Sequence, residues 1–106
     1  MISVCIASYN GEKFIKQLLE SIIPQLSMTD EIIISDDNSS DNTVQIIKKI
    51  IDKSAVPIFL KFNNGRRGFV SNFNNALIFA RGDYVFLSDQ DDIWLENKIK
   101  EYRKYF

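Results

Sequence analysis

The chain has 106 residues, 45% of them hydrophobic and 25% charged, which indicates one globular domain and excludes disordered, collagen-like and disulfide-scaffold proteins. Thirteen basic and fourteen acidic residues give a net charge of −1, so the basic excess that drives nucleic acid binding is absent. Since the chain contains no histidine, Ser-His-Asp triads and His-based zinc sites are excluded, and any chemistry must use carboxylates, Lys, Tyr or a cation held by oxygen ligands.

The first half of the chain predicts two strand–helix units. Residues 2–7 form a short run rich in β-branched side chains that ends in a polar turn, which predicts a strand. Apolar residues then recur at helical spacing over residues 14–23, until Pro24 ends or bends the helix. Residues 31–35 repeat the strand signal, and an apolar stripe over residues 44–51 predicts the second helix.

The second half of the chain predicts two further units. Residues 56–62 predict the third strand, and residues 69–80 the third helix, with Gly82 as a candidate C-cap. The stripe of that helix consists of Phe69, Phe73, Ala76, Leu77 and Ala80. Residues 84–88 predict the fourth strand, and a last helix is expected from residue 95 to the end of the chain.

The strand segments are continuous apolar runs, the pattern of a parallel sheet that is covered on both faces. The alternation of strands and helices therefore predicts an α/β domain with a Rossmann-like, mostly parallel sheet. Ligands of such sheets bind outside the carboxyl ends of the strands. We expect the polar loops after the first, second and fourth strands to converge there.

An acidic cluster follows the fourth strand directly. Asp89, Asp91 and Asp92 repel one another at neutral pH, a cost that a bound cation can offset. Hard oxygen ligands favour Mg²⁺ or Mn²⁺, which bridge protein carboxylates and substrate phosphates. The alternative is a solvated turn in which Asp91 or Asp92 caps the next helix.

A second acidic segment, residues 36–41, follows the second strand. It lacks the glycine and glutamate that an EF-hand requires, so a calcium loop is excluded. Helix capping by Ser40 or Asp41 is expected, but capping leaves Asp36 and Asp37 unexplained.

Aromatic and basic residues in the remaining loops are weaker signals. Tyr9 can stack on a base or be a surface aromatic, and Arg66 and Arg67 can contact phosphate or be solvated. Gly65 and Gly68 do not form a dinucleotide fingerprint, and the chain has no Walker sequence.

Taken together, residues 4–11, 34–43 and 80–92 resemble the glycosyltransferase family 2 domain of the GT-A fold, in the order of that family and over essentially the whole chain. Residues 88–94, with Asn72 and Phe73 upstream, are most similar to the subset that contains bacterial rhamnosyltransferases. The resemblance implies one nucleotide-sugar-binding domain over residues 1–106, corresponding to the N-terminal half of the fold and incomplete at its C-terminal end.

The resemblance also implies a donor site. Ala7, Tyr9, Asp37 and Asp89 are expected to bind the nucleotide, with Tyr9 against the base. Asp37 matches the carboxylate that accepts the imide N–H of uracil or thymine. Asp89 and Asp91 match the DxD pair, in which the second aspartate ligates Mn²⁺ or Mg²⁺ across the diphosphate.

The function implied is metal-dependent, inverting transfer of a sugar from a UDP- or dTDP-sugar to a hydroxyl of a saccharide or lipid-linked saccharide in surface polysaccharide assembly. The catalytic base is expected beyond Phe106, so the alternative is a non-catalytic fragment that binds nucleotide-sugar. Cys5 is unpaired, which suits a reducing cytoplasm. No apolar run approaches the ~20 residues that cross a bilayer, so any membrane contact is expected to be peripheral, at the inner face.

Overall fold

A computed structural model describes residues 1–106 and shows one sheet of four parallel strands in the order β3-β2-β1-β4. The strands are β1 (Ile2–Ser8), β2 (Glu31–Asp36), β3 (Ile58–Phe62) and β4 (Tyr84–Asp89). All adjacent strands are parallel, so the carboxyl ends lie at one edge of the sheet. The predicted parallel α/β architecture is confirmed, although β3 begins two residues later than the sequence predicts.

Four α-helices follow the strands: α1 (Ile15–Ile22), α2 (Thr43–Lys53), α3 (Phe69–Leu77) and α4 (Lys98–Arg103). The helix α1 ends at Ile22 because Pro24 lacks an N–H, and Ile23–Gln25 continues as a single 3₁₀ turn. The last helix begins at Lys98 and not at Leu95, which is exposed. None of these helices has both the length and the apolarity needed to span a bilayer.

Helices cover both faces of the sheet, as predicted, because successive strand residues point to opposite sides. One face packs on α1, α2 and α4 and holds the main core. The other face, with Cys5 and Ile33, packs under Ala76 of α3. Burial, and secondarily the charge of Glu31, raises the pKa of the Cys5 thiol to about 11, so this side chain is a buried small hydrophobe.

The apolar stripe predicted for α3 is wrong in part. The buried residues of α3 are Asn72 and Ala76, whereas Phe69 and Leu77 are exposed, and the helix ends before Ala80. The reason is that α3 packs on β1, β2 and β3, whereas the same face of β4 stays exposed at Val85 and Leu87. The rings of Phe69 and Phe73 instead pack edge to face on each other, with centroids 4.8 Å apart.

A buried hydrogen-bond network at the amino ends of the strands fixes where β4 begins. Glu31 accepts hydrogen bonds from the Ser3 hydroxyl at 2.6 Å and from the Arg81 backbone N–H at 2.8 Å. The guanidinium of Arg81 lies 3.1 Å from the same carboxylate. Gly82 donates its N–H to the Ser3 hydroxyl, and a Cβ at this glycine would lie only 2.6 Å from the Ser3 nitrogen. The backbone at residue 82, just before β4, therefore lies too close to Ser3 for a side chain.

Candidate functional site

The loops after β1, β2, β3 and β4 converge at the carboxyl edge of the sheet around an open pocket of about 460 Å³. Five residues singled out from the sequence line it: Ala7, Tyr9, Asp37, Arg67 and Asp89. The pocket is completed by residues that the sequence analysis did not propose as site residues: Ser8, Gly68, Phe69, Asn72 and Gln90. The expected convergence of the loops after β1, β2 and β4 is thus observed, and the loop after β3 joins them.

Asp36 organises the loop after β2, and its carboxylate is occupied by hydrogen bonds within the protein. Its buried carboxylate accepts hydrogen bonds from the hydroxyls of Ser8 at 2.7 Å and Ser39 at 2.6 Å. It also accepts the backbone N–H of Ser39 at 2.8 Å, and the Ser39 hydroxyl accepts the N–H of Asn10 at 2.9 Å. These bonds join the loops after β1 and β2, which explains this aspartate without a ligand.

The first turn of α2 is stabilised differently from the prediction. The N-cap position is Asn42, whose side chain makes no capping hydrogen bond. Asp41 instead accepts the backbone N–H of Thr43 at 2.9 Å. Ser40 contributes nothing to α2, because its N–H and hydroxyl both donate to the side chain of Asn10.

Asp37 is almost buried, and its carboxylate reaches the pocket with both oxygens already oriented. One oxygen accepts the side-chain N–H of Asn63 at 3.1 Å, and the other accepts the backbone N–H of Gly68 at 3.0 Å. Gly68 has φ +132°, a conformation that favours glycine. Because each carboxylate oxygen has a second lone pair, Asp37 can still accept a hydrogen bond from a ligand.

The two loop arginines separate. The Arg67 guanidinium carbon lies 5.5 Å from the centroid of the half-exposed Tyr9 ring, and the same side chain donates to the backbone oxygen of Asp37 at 3.4 Å. Arg67 therefore lines the pocket beside the aromatic ring. Arg66 does not, and lies on the adjoining surface with Val70.

Asn72 ties α3 to the strand ends beneath the pocket. Its side-chain N–H donates to the backbone oxygen of Ser8 at 3.1 Å, and its side-chain oxygen accepts the Ser35 hydroxyl at 2.7 Å. The available sequence signal was a polar side chain on the side of α3 that faces the sheet. This signal identifies Asn72 only when the side of α3 that faces the sheet is known.

The acidic cluster remains free of internal partners. The carboxylate oxygens of Asp89, Asp91 and Asp92 lie within 4.8 Å of one another. None accepts a hydrogen bond, and the four ion pairs of the chain involve other groups. Burial, followed by the charges of Asp91 and Asp92, raises the pKa of the Asp89 carboxyl above its ordinary value. Three close carboxylates without cationic partners fit a divalent, oxygen-preferring cation.

The capping alternative for this cluster is excluded. The N-cap position of α4 is Asn97, so neither Asp91 nor Asp92 caps that helix. Trp94 follows the cluster and is buried, with its indole N–H donating to the Ser88 hydroxyl at 3.1 Å. The indole ring thus seals the end of β4 against the core.

Comparison with known sequences gives a consistent result. The profile of Glycosyl transferase family 2 matches residues 3–106. The Escherichia coli protein WfaP, a "UDP-Glc:alpha-D-GlcNAc-diphosphoundecaprenol beta-1,3-glucosyltransferase", is 39% identical over 93% of this chain and 38% of its own length. The Shigella flexneri "dTDP-rhamnosyl transferase RfbG" is 39% identical over 89% of this chain and 34% of its own length.

Solved structures share the fold. S. aureus TarS (residues 1–349), in complex with UDP, superposes with a TM-score of 0.87 at 29% identity, over 98% of this chain and 31% of that chain. The mannosyltransferase PcManGT from Pyrobaculum calidifontis gives a TM-score of 0.88 at 23% identity, over 98% of this chain and 31% of that one. The chain thus spans about a third of the length of these relatives, and it belongs to glycosyltransferase family 2, with the GT-A fold over the residues described.

Proposed function

We propose that this chain is the donor-binding part of a glycosyltransferase that uses a UDP- or dTDP-sugar. The observation that supports the proposal best is the pocket itself. It brings an aromatic ring and a prearranged carboxylate, on Tyr9 and Asp37, to the same strand edge as the unpaired acidic cluster that begins at Asp89. A nucleoside diphosphate has complementary parts, namely a flat base with a hydrogen-bond donor at one end and a polyanion that requires a cation at the other.

The base binds on the side of Asp37. Its carboxylate accepts the imide N–H that uracil and thymine present, and it discriminates against cytosine, whose ring nitrogen carries no hydrogen there. The ring of Tyr9 lies against the base, and Ala7 lines the pocket at the end of β1. The names of WfaP and RfbG, which specify UDP and dTDP donors, are consistent with this choice of bases.

The diphosphate binds on the side of the acidic cluster. Asp89 and Asp91 would hold Mn²⁺ or Mg²⁺, which when bound stabilises the negative charge on the departing nucleoside diphosphate. Arg67 supplies a cationic group beside the ring of Tyr9 and is the candidate for a direct phosphate contact. We do not extend that role to Arg66, because its side chain does not line the pocket.

The acceptor is a hydroxyl of a saccharide or of a lipid-linked saccharide, in keeping with the lipid-linked acceptor in the name of WfaP. We assign the base for inverting transfer to residues outside 1–106, since this chain spans about a third of the length of its relatives. We place the reaction in the cytoplasm, with peripheral contact to the inner face of the membrane in surface polysaccharide assembly. The alternative is a fragment that binds nucleotide-sugar without transferring it, because it lacks the acceptor half and the catalytic base.

The proposal is tested by titrating UDP and dTDP with and without Mn²⁺, in the unaltered chain and in Asp91→Asn. Mn²⁺ should raise the nucleotide affinity at least roughly tenfold, a coupling of about 1.4 kcal/mol, because the diphosphate completes the oxygen shell of the cation. Asp91→Asn should lose this coupling. The matched control is Asp52→Asn, an exposed acid on α2, which should keep it.

Two results would contradict the proposal. Absence of nucleotide binding in the unaltered chain would remove the donor function, and equal metal dependence in both aspartate variants would remove Asp91 as a ligand. Release of free sugar from a bound UDP-sugar, measured alongside the titration, distinguishes an active transferase from the binding fragment.

A further inference from the structure

Gln90 connects the acidic loop to the turn that carries the aromatic ring. Its side-chain oxygen accepts the backbone N–H of Tyr9 at 2.8 Å, and its side-chain N–H donates to the backbone oxygen of Tyr9 at 2.9 Å. One amide side chain thus satisfies both backbone groups of one residue, as a neighbouring strand would. In sequence Gln90 lies between Asp89 and Asp91, so its backbone belongs to the acidic loop.

These bonds begin where the sheet ladder stops. The last paired residues of the two strands are Ala7 on β1 and Asp89 on β4, and beyond them the backbones no longer pair. The amide of Gln90 therefore continues the connection between the strands at the rim of the pocket. No other side chain connects the acidic loop to Tyr9.

The amide of Gln90 also lies against Gly11, in the turn after β1. A Cβ at Gly11 would lie 2.3 Å from the side-chain oxygen of Gln90 and 2.7 Å from its amide carbon. Gly11 is not in the left-handed region of φ, so its backbone conformation does not require glycine. A side chain at residue 11 would therefore have to displace the amide of Gln90.

The position of this link matters because the proposed ligand is continuous. The base and the diphosphate belong to one molecule, so the ring of Tyr9 and the carboxylates of Asp89 and Asp91 must keep a fixed separation to bind both ends together. A loop free to move relative to the ring would bind the two ends independently and lose the advantage of binding them together.

We propose that Gln90 is a positioning residue that couples binding of the base at Tyr9 to binding of the cation and diphosphate at the acidic loop. The inference depends on the proposed function, since it deepens the donor site already described. Gln90 acts through the backbone of Tyr9 and needs no contact with the reacting atoms.

The test measures coupling and not affinity alone. In the unaltered chain Mn²⁺ should raise UDP affinity at least roughly tenfold, and in Gln90→Ala this factor should fall below about threefold. Affinity for uridine, which lacks the diphosphate, should change by less than about twofold, because Asp37 and the Tyr9 ring remain. Gln45→Met, an exposed glutamine change on α2, is the control and should leave both values unaltered.

Gly11→Ala tests the same link from its other side. Its methyl group should displace the amide of Gln90 and reduce the Mn²⁺ factor as far as Gln90→Ala does. In the double variant the alanine at residue 11 has no amide to displace, so the combined loss should equal that of Gln90→Ala alone.

The outcomes separate the two hypotheses. If Gln90→Ala keeps the tenfold Mn²⁺ factor, or if uridine and UDP affinities fall equally, the inference is overturned while the donor function stands. If the unaltered chain binds no UDP with Mn²⁺ present, the donor function fails and the inference fails with it.

Discussion

Acidic side chains gather at both ends of the sheet, where those at the amino ends are paired and the cluster that follows β4 at the carboxyl ends is not. At the amino ends, Asp30 accepts the backbone N–H of Ile2 at 2.9 Å, and Glu31 is bonded to Ser3 and Arg81. At the carboxyl ends, the carboxylates of the cluster that begins at Asp89 accept no hydrogen bond and pair with no cationic side chain. The same residue type therefore serves two purposes in one small sheet.

The pKa shifts of the two regions differ in sign. Burial opposes ionisation of Glu31, but the bonds from Ser3 and Arg81 outweigh it and hold the pKa of this carboxyl below its ordinary value. Burial of Asp89 is reinforced by the like charges of its neighbours, so its pKa is raised. Paired acids thus stabilise the fold, whereas the unpaired cluster carries a cost that a bound cation relieves.

The largest effect is expected at the paired end. Glu31→Ala removes the buried acceptor of the Ser3 hydroxyl and the Arg81 backbone N–H and should lower the free energy of unfolding by about 3 kcal/mol. Urea denaturation at neutral pH measures this value. Glu101→Ala, which removes an exposed carboxylate 3.2 Å from Lys104, is the control and should cost about 0.5 kcal/mol or less.

The sign of the pH dependence follows from the depressed pKa of Glu31. Its stabilising contribution is present above the unfolded-state pKa, about 4.3, and is lost as the pH falls through the lower folded-state value. The difference in the free energy of unfolding between the unaltered chain and Glu31→Ala should therefore become smaller at acidic pH. A difference that stays constant down to the acid transition would contradict the assignment.

An intermediate effect is expected at Asp37, which is paired but reaches the pocket. Asp37→Ala should weaken binding of UDP or dTDP by roughly 1–3 kcal/mol, as for a hydrogen bond to a charged group. The change also releases Asn63 and Gly68, so Asn63→Ala is the control that loosens the same loop but keeps the carboxylate. Calorimetric affinities that fall equally in both variants would assign the loss to the loop and not to base recognition.

The smallest effect is expected at the unpaired end, in the absence of metal. Asp92→Asn removes a like charge beside Asp89, so the free energy of unfolding should stay within about 0.5 kcal/mol or rise slightly. Urea denaturation with a chelator present measures it. A loss above about 1 kcal/mol would show that this carboxylate has a stabilising partner, and the contrast between the two ends would fail.

The sequence was sufficient for the elements whose signal is local. Continuous apolar runs predicted all four strands, and the positions of Asp37 and Asp89 at strand ends predicted where the pocket lies. Local patterns did not distinguish Asp36, whose carboxylate is occupied by hydrogen bonds within the protein, from Asp37, whose carboxylate reaches the pocket. That distinction depends on Ser8 and Asn63, which lie 28 and 26 residues away in sequence.

Long-range partners also explain what the sequence analysis did not assign. Gln90 forms a hydrogen bond with a backbone group 81 residues away, and Asn72 with one 64 residues away. The sequence pattern near either residue therefore does not indicate the contact. The exposure of Phe69 and Leu77 likewise depends on which strands α3 crosses, and an apolar stripe alone carries no information about that crossing.

The network of Ser3, Glu31 and Gly82 has a consequence for building chimeric transferases. At the amino ends of the strands, next to this network, Ile2 pairs with Tyr84. Five residues further along the same two strands, about 17 Å away, Ala7 pairs with Asp89. A shift of one residue would turn Asp89 to the opposite face of the sheet. A segment carrying a foreign acidic loop should therefore be exchanged together with its own partners at residues 3 and 31, because these distant residues determine which way the transplanted aspartates point.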